Sequence, residues 1–149
     1  MKLKFGERRF FVDPIADMLV TIKNGYMAKK PEVLVPYSKF KSEVAKVLEK
    51  EKFVGIVKKS QAHLALPRRQ AGSGRAKIII SLLYENQKPK LHEIKKVSKP
   101  GLRIYTKSKN IKKVKGKRGL VLVSTPQGVM TGEQAKAKKL GGEVICEAW

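Results

Sequence analysis

The stretch that decides the fold is Ser98–Thr131, SKPGLRIYTKSKNIKKVKGKRGLVLVSTPQGVMT. A cationic half runs into an apolar strand, and the strand ends in a loop of small and hydroxyl residues. Lys99-Pro100-Gly101 fits a tight turn, with Pro at its second position and Gly at its third. Beyond it, period-two alternation places Leu102, Ile104 and Thr106 on one side and Arg103, Tyr105 and Lys107 on the other. Lys109 to Arg118 reads as a basic loop. Leu120 to Val123 is apolar on both faces, as in a central strand. Thr131-x-x-Gln134 is a capping box for a short helix, with Met130 and Ala135 placed for a hydrophobic staple. Leu140-Gly141-Gly142 is expected to end that helix, and Val144 to Cys146 reads as the closing strand.

Charge is concentrated in the same region. Lys88 to Arg118 holds thirteen Lys or Arg and one acid, Glu93, whereas beyond Gly119 the charges cancel. The whole chain has 149 residues and a net charge of +22. Such self-repulsion costs stability in a compact protein, and a polyanionic partner relieves it. Nucleic acid ranks first and an anionic membrane surface second. The expected helices carry cations without a broad apolar face, and the only Trp is terminal, which argues against a membrane partner. No apolar run approaches the roughly 20 residues of a bilayer span. The first residues have no apolar core or small-residue cleavage site, so no secretory signal is read, and one cysteine leaves no disulfide framework. The expected compartment is cytoplasmic.

Outward from the centre, Asn86 to Lys90 is a polar connector and the expected domain boundary. Residues 87–149 then form a β-rich RNA-binding domain. Residues 13–86 form an α/β domain, and residues 1–12 a basic N-terminal extension. In the α/β domain Asp13-Pro14 opens a helix, with Ile15, Met18, Leu19, Ile22 and Tyr26 on its buried face. Asn24-Gly25 is where that helix loosens or ends. Val33 to Pro36 is a strand. Ser38 caps a second helix with Phe40, Val44, Val47 and Leu48 inward and Lys39, Lys41, Lys46 and Lys50 outward. Val54 to Lys58 and Ile78 to Tyr84 are strands, the latter apolar on both faces and so expected to be covered. Residues 60–75 read as a basic loop insertion. Glu93 to Ser98 opens the second half as a strand. The fold class is α+β: an N-terminal α-β-α-β-β unit followed by a mainly antiparallel β unit with one short helix.

No catalytic set emerges. His63 and His92 stand apart and lack ligand patterns. Cys146 sits in an apolar strand without adjacent cations. Asp13 and Asp17 are explained by the helix dipole. Gly72-Ser73-Gly74 and Gly116-Lys117 lack the full phosphate-loop pattern. No cofactor, metal or small-molecule substrate is expected. Binding chemistry is better represented. Tyr105 between Arg103 and Lys107 suits a base or sugar on the ring and phosphates on the flanks. The same pattern fits a tyrosine closing the edge of a core. Ser124-Thr125 offers two hydroxyls, and Gly128 lets a groove approach the backbone. By itself, that loop equally fits a turn from strand to helix.

Four ordered motifs carry a resemblance. Asp13-Pro14-Ile15-Ala16-Asp17-Met18-Leu19 with Lys23-Asn24 is the first, and Ser98-Lys99-Pro100-Gly101-Leu102-Arg103-Ile104-Tyr105 the second. Ser124-Thr125-Pro126-x-Gly128-Val129-Met130-Thr131 and Gly141-Gly142-Glu143-Val144-Ile145-Cys146 complete the set. Together they resemble the bacterial-type small-subunit ribosomal protein eight family, over roughly residues 12–59 and 76–149. The resemblance implies two domains and binding to a helix in the central domain of small-subunit ribosomal RNA, early in platform assembly. It implies the fifth and twelfth small-subunit proteins as neighbours, and the chain's own operon mRNA as a further ligand. An organelle ribosome fits the resemblance as well as a cytoplasmic one. The RNA contacts it implies are Ser124, Thr125, Gly128, Val129, Tyr105 and Arg103, with Lys99, Lys107, Lys113, Lys117, Arg118, Lys23 and Asn24. Pro126 departs from members with a third hydroxyl there, and Glu147 stands where an aromatic is frequent. Residues 1–11 and the 60–75 loop read as additions that reach further rRNA. The competing class is an enzyme that holds RNA for processing or modification; general DNA compaction is weaker still.

Overall fold

The computed structural model describes residues 13–60, 76–114 and 119–149. The N-terminal extension, nearly all of the 60–75 loop, and Lys117 and Arg118 therefore lie outside the described residues. Helix α1 spans Pro14–Met27. Asp13 caps it: Oδ1 accepts from the N–H groups of Ile15 at 3.1 Å and Ala16 at 3.2 Å, satisfying donors that have no partner inside the helix. Ile15, Met18, Leu19, Ile22 and Tyr26 are buried, as their spacing predicts. The helix does not end at Asn24-Gly25. A Cβ on Gly25 would lie 2.4 Å from Val33 Cγ1, so this glycine serves helix–strand packing and not termination.

Helix α2, Lys39–Lys50, is capped by Ser38 Oγ, which accepts from Lys41 N at 3.1 Å. Its buried face is rotated from the expected one. Val44, Ala45 and Leu48 are buried, but Phe40 is exposed and Val47 only half-buried. Lys41 takes the inner place at 7% exposure and its Nζ donates to Pro36 O at 3.4 Å. A long aliphatic stem can line a core while the ammonium reaches a carbonyl.

Strands β1 (Glu32–Pro36), β2 (Val57–Ser60) and β3 (Lys77–Ser81) form an antiparallel sheet in the order β1-β3-β2. β2 starts three residues later than expected because Phe53 and Val54 are spent on the turn after α2, where both N–H groups bond Leu48 O. β3 ends before Leu82, which is buried, and the chain then forms a small hairpin, β4 (Tyr84–Glu85) and β5 (Lys88–Pro89). Asn86 and Gln87, expected as connector, are its two-residue turn, both at positive φ of 51° and 64°. α1 and α2 cover Ile78 and Ile80 on one face, while Leu34 on the other face is exposed and Ile79 half-buried. The sheet is thus covered on one side only among the described residues.

The second sheet contains β6 (Ile94–Lys96), β7 (Tyr105–Thr106), β8 (Leu120–Thr125), β9 (Gly128–Thr131) and β10 (Gly142–Ala148). Its order is β6-β10-β8-β9, with β7 also on β10, and all pairs are antiparallel. The capping box of α3, Gly132–Ala137, is complete: Gln134 N donates to Thr131 Oγ1 and Thr131 N to Gln134 Oε1, both at 3.2 Å. Met130 and Ala135 are buried together with Ile111, Val121 and Val123. A larger core joins α1, α2 and the first sheet to Ile94, Leu122, Ile145 and Ala148 of the second. The class is α+β with antiparallel sheets.

Among the described residues the three α-helices close alike. Lys29, Lys52 and Lys139 hold positive φ of 54°, 61° and 56° just beyond the C-caps. Each donates to the second-last turn (Tyr26, Glu49 and Lys136 O), and the following N–H reaches Gly25, Leu48 and Ala135 O. This is the left-handed closure that glycine normally fills. Lysine tolerates it at a cost of order 1 kcal/mol, part of which the helix dipole returns. Lys29→Gly is expected to raise stability by about 0.5 kcal/mol, read as a higher urea midpoint.

Candidate nucleic-acid interface

The site begins at Ser98, which is fully buried. Its Oγ accepts from Ile104 N at 2.9 Å and donates to Ile104 O at 3.3 Å, closing residues 98–104 into a loop. Inside it, Lys99 and Leu102 exchange backbone bonds of 3.0 and 2.9 Å, and Gly101 takes the positive φ of 82° that the turn requires. The expected alternation does not survive here. Leu102 is 63% exposed and Ile104 is exposed as well, because the turn carries them off the sheet and only Tyr105–Thr106 pairs as strand.

Antiparallel register then assembles a row. Tyr105 stands opposite Glu143, Glu143 opposite Ser124, and Ser124 opposite Val129. Directly opposed residues share a face, so residues 105, 124, 129 and 143 line one side of four adjacent strands. Tyr105 is 70% exposed. Arg103 Nη1 donates to Glu143 Oε1 at 3.1 Å, which anchors the guanidinium beside the ring. The strands come this close because of glycine. A Cβ on Gly142 would lie 2.0 Å from Ser124 O, and one on Gly141 would lie 2.5 Å from Thr106 O. Gly141-Gly142 therefore does not end α3, whose closing residue is Lys139; it lets β10 slide between β7 and β8.

Ser124 and Thr125 belong to a β-hairpin, β8–β9, and not to a turn between strand and helix. The two hydroxyls differ. Thr125 is only 8% exposed; its Oγ1 donates to Gly128 O at 2.8 Å and accepts from Gln127 N at 3.2 Å. Ser124 is half-buried, and among the described residues its hydroxyl takes no hydrogen bond. Gly128 has φ of 109°, and no atom lies within 4 Å of where its Cβ would be. The turn tip thus has an internal brace at Thr125 and open space at Gly128. Thr125→Val should cost about 1–2 kcal/mol of stability in urea melts, while Thr125→Ser retains most of it.

The remaining expected residues separate. Lys99 and Lys107 are exposed on either side of the Arg103–Tyr105 segment. Lys113 is exposed near the start of β8, at the opposite end from the hairpin tip. Lys23 and Asn24 lie on α1, outside the row; Lys23 Nζ meets Glu93 Oε1 at 2.7 Å, and that hydrogen bond holds the Glu93 carboxyl below its usual range. Glu143, Ser98 and Gly142 are the structural contributors that sequence reasoning missed. An acid facing two cations across paired strands is the signal that would have exposed Glu143, had its register been known.

Comparison with known proteins follows the same boundaries. The family described as "Ribosomal protein S8" matches residues 13–149. Small ribosomal subunit protein uS8 of Roseiflexus castenholzii is 42% identical over 138 residues, 92% of this chain and 97% of that protein. The protein of that name from Nitratidesulfovibrio vulgaris is 41% identical over 137 residues, 92% and 98% of the two chains. That of Dictyoglomus turgidum is 39% identical over 137 residues, 92% and 97%. The chain belongs to the ribosomal protein S8 family.

Membership in the S8 family makes the chain an rRNA-binding ribosomal protein, and the family is not an enzyme class. Burial pushes the Cys146 thiol up to about 12, far from a reactive thiolate. Among the described residues no group of three His, Cys, Asp or Glu side chains could hold a metal ion, and no helix is long and apolar enough to cross a membrane.

Proposed function

We propose that this S8-family chain is a structural constituent of the small ribosomal subunit, and that the row on the second sheet binds a helix in the central domain of small-subunit rRNA. The observation that carries the reading is the convergence of Tyr105 and Arg103 with Ser124 and Val129, drawn from two separate stretches of sequence, along one side of the second sheet. The Tyr105 ring takes a base or sugar face, and Arg103, Lys99 and Lys107 flank it for phosphates. The Ser124 hydroxyl and the backbone at Gly128 and Val129 reach into the shallow minor groove, where 2′-OH groups and base edges lie. Thr125 acts indirectly, by holding the turn. Lys23, Asn24, Lys113, Lys117 and Arg118 serve backbone contacts away from the row. Phosphate contacts fix register while the uncharged turn reads contour.

In this reading the protein binds early, helps build the subunit platform beside the fifth and twelfth small-subunit proteins, and also binds its own operon mRNA. It works in the cytoplasm, with no membrane or small-molecule ligand. The test is binding to a panel of rRNA fragments and to duplex DNA across a salt series. The expected result is selective retention of the central-domain helix at moderate salt. Equal affinity for every fragment and for DNA would overturn the reading.

A further inference from the structure

The loop that carries Arg103 and Tyr105 is anchored by one buried cation. β6 and β7 pair the same edge of β10, and between them the chain leaves that edge and returns. Ser98 N donates to Val144 O at 3.2 Å on the way out, and Val144 N donates to Ile104 O at 2.9 Å on the way back. Lys96, the last residue of β6, has a side chain only 11% exposed. Its Nζ donates to Ser98 O, which takes no other hydrogen bond among the described residues. The same ammonium lies 3.4 Å from Asp13 Oδ2, on a side chain 13% exposed at the start of α1. Oδ1 of that carboxylate is engaged in the helix cap, whereas Oδ2 is buried and makes no hydrogen bond among the described residues. Lys96 is therefore the described partner of two buried acceptors, one on α1 and one at the foot of the loop.

We propose that Lys96 is a positioning residue for RNA recognition: it ties the 98–104 loop to α1 and holds Arg103 and Tyr105 in place, without touching the RNA itself. The inference rests on the functional reading of the row. Two observations carry it. The first is the burial of the ion pair. Desolvating two charges offsets most of their attraction, and an apolar pair of like volume commonly stabilises a fold as well. Net stability thus gives no reason for an ammonium beneath this loop. What the ammonium supplies is direction, since a charge-assisted hydrogen bond fixes where Ser98 O points. The second observation is how Ser98 passes that restraint on. Its Oγ holds both the N–H and the carbonyl of Ile104, the residue between Arg103 and Tyr105. Without the ammonium, Ser98 O is a buried acceptor that lacks a donor, and the Ser98–Lys99 peptide turns toward water to find one. A loop ordered before binding avoids the entropy cost of ordering it on the RNA.

The test records thermal melts and titrates each folded variant with a central-domain rRNA transcript over a potassium chloride series. Lys96→Met, close in length but uncharged, should lower the melting temperature by about 5–8 °C, because Asp13 is left as a buried charge without its partner. Its affinity per folded molecule should fall about tenfold, on the scale of a displaced stacking contact. The slope of log affinity against log salt should stay at the wild-type value, since no phosphate contact is lost. Asp13→Asn combined with Lys96→Met keeps a good helix cap and removes the lone charge. It should regain most of the melting temperature and little of the affinity. In a background of Arg103→Gln with Tyr105→Ala, Lys96→Met should cost less than about twofold, because the side chains it places are already gone. Affinity that recovers together with stability in the Asp13 and Lys96 double variant overturns the inference and leaves Lys96 a purely structural residue. A tenfold loss that persists in the Arg103 and Tyr105 background also overturns it. So does a slope lowered by about 1, which would make Lys96 a phosphate contact. Wild type that ignores the transcript ends the reading of the row itself, and this inference with it.

Discussion

Gly142→Ala is expected to lower stability by about 3 kcal/mol, the upper part of the range for overpacking a close contact. The added Cβ would stand 2.0 Å from Ser124 O, 2.9 Å from Ser124 C and 3.2 Å from Thr125 Cα. All three are backbone atoms of β8, so no side chain can swing aside. β10 must withdraw from β8, and the pair between Glu143 and Ser124 opens with it. The same movement pulls Glu143 from Tyr105 and loosens the anchor on Arg103. RNA affinity should therefore fall more than the loss of folded protein explains. A urea melt gives the first quantity, and titration of the folded fraction gives the second. A midpoint within error of wild type would mean that the sheet accommodates a methyl group there and that close approach is not what selects glycine.

The second large effect separates binding from folding. Tyr105 is 70% exposed, and its side chain makes none of the described hydrogen bonds. Its removal should leave stability within about 0.5 kcal/mol of wild type. RNA affinity should fall by about 1–3 kcal/mol, the scale of one stacked base. Tyr105→Phe keeps the ring and should keep most of the affinity. Loss of affinity in the phenylalanine variant as large as in the alanine variant would transfer the interaction from the ring to the hydroxyl. A fall in melting temperature of the alanine variant would return Tyr105 to the role of an edge residue closing a core.

Local rules were sufficient where the signal lies within one turn of chain. Asp13-Pro14, Ser38, Thr131-x-x-Gln134 and Lys99-Pro100-Gly101 each act on neighbours two to three residues away, and each does what its chemistry predicts. The misreadings share a different cause. Gly25, Gly141 and Gly142 look like helix stops in sequence, but each answers an atom on another strand. The helix ends fell to lysines in left-handed backbone, which no propensity rule favours. Phe40 and Lys41 exchanged roles: Phe40 is exposed, while the Lys41 stem is buried with its ammonium on Pro36 O. The candidate site was legible as a set of residues and illegible as an arrangement. Tyr105 and Ser124 meet through Glu143, and the register that places Glu143 depends on an irregularity in the pairing of β10 with β8 between Val144 and Cys146. Lys113 was grouped with the row because it is near in sequence, although the strand between them carries it to the far end of the sheet.

The most direct test of the row as the RNA surface is an amide chemical-shift map of the isotope-labelled protein titrated with the central-domain helix of small-subunit rRNA. The account predicts the largest shifts at residues 103–106, 124–129 and 142–143, three segments that are contiguous only in the folded sheet. Shifts confined to α1 and the first sheet, with those three segments unmoved at saturation, would contradict it.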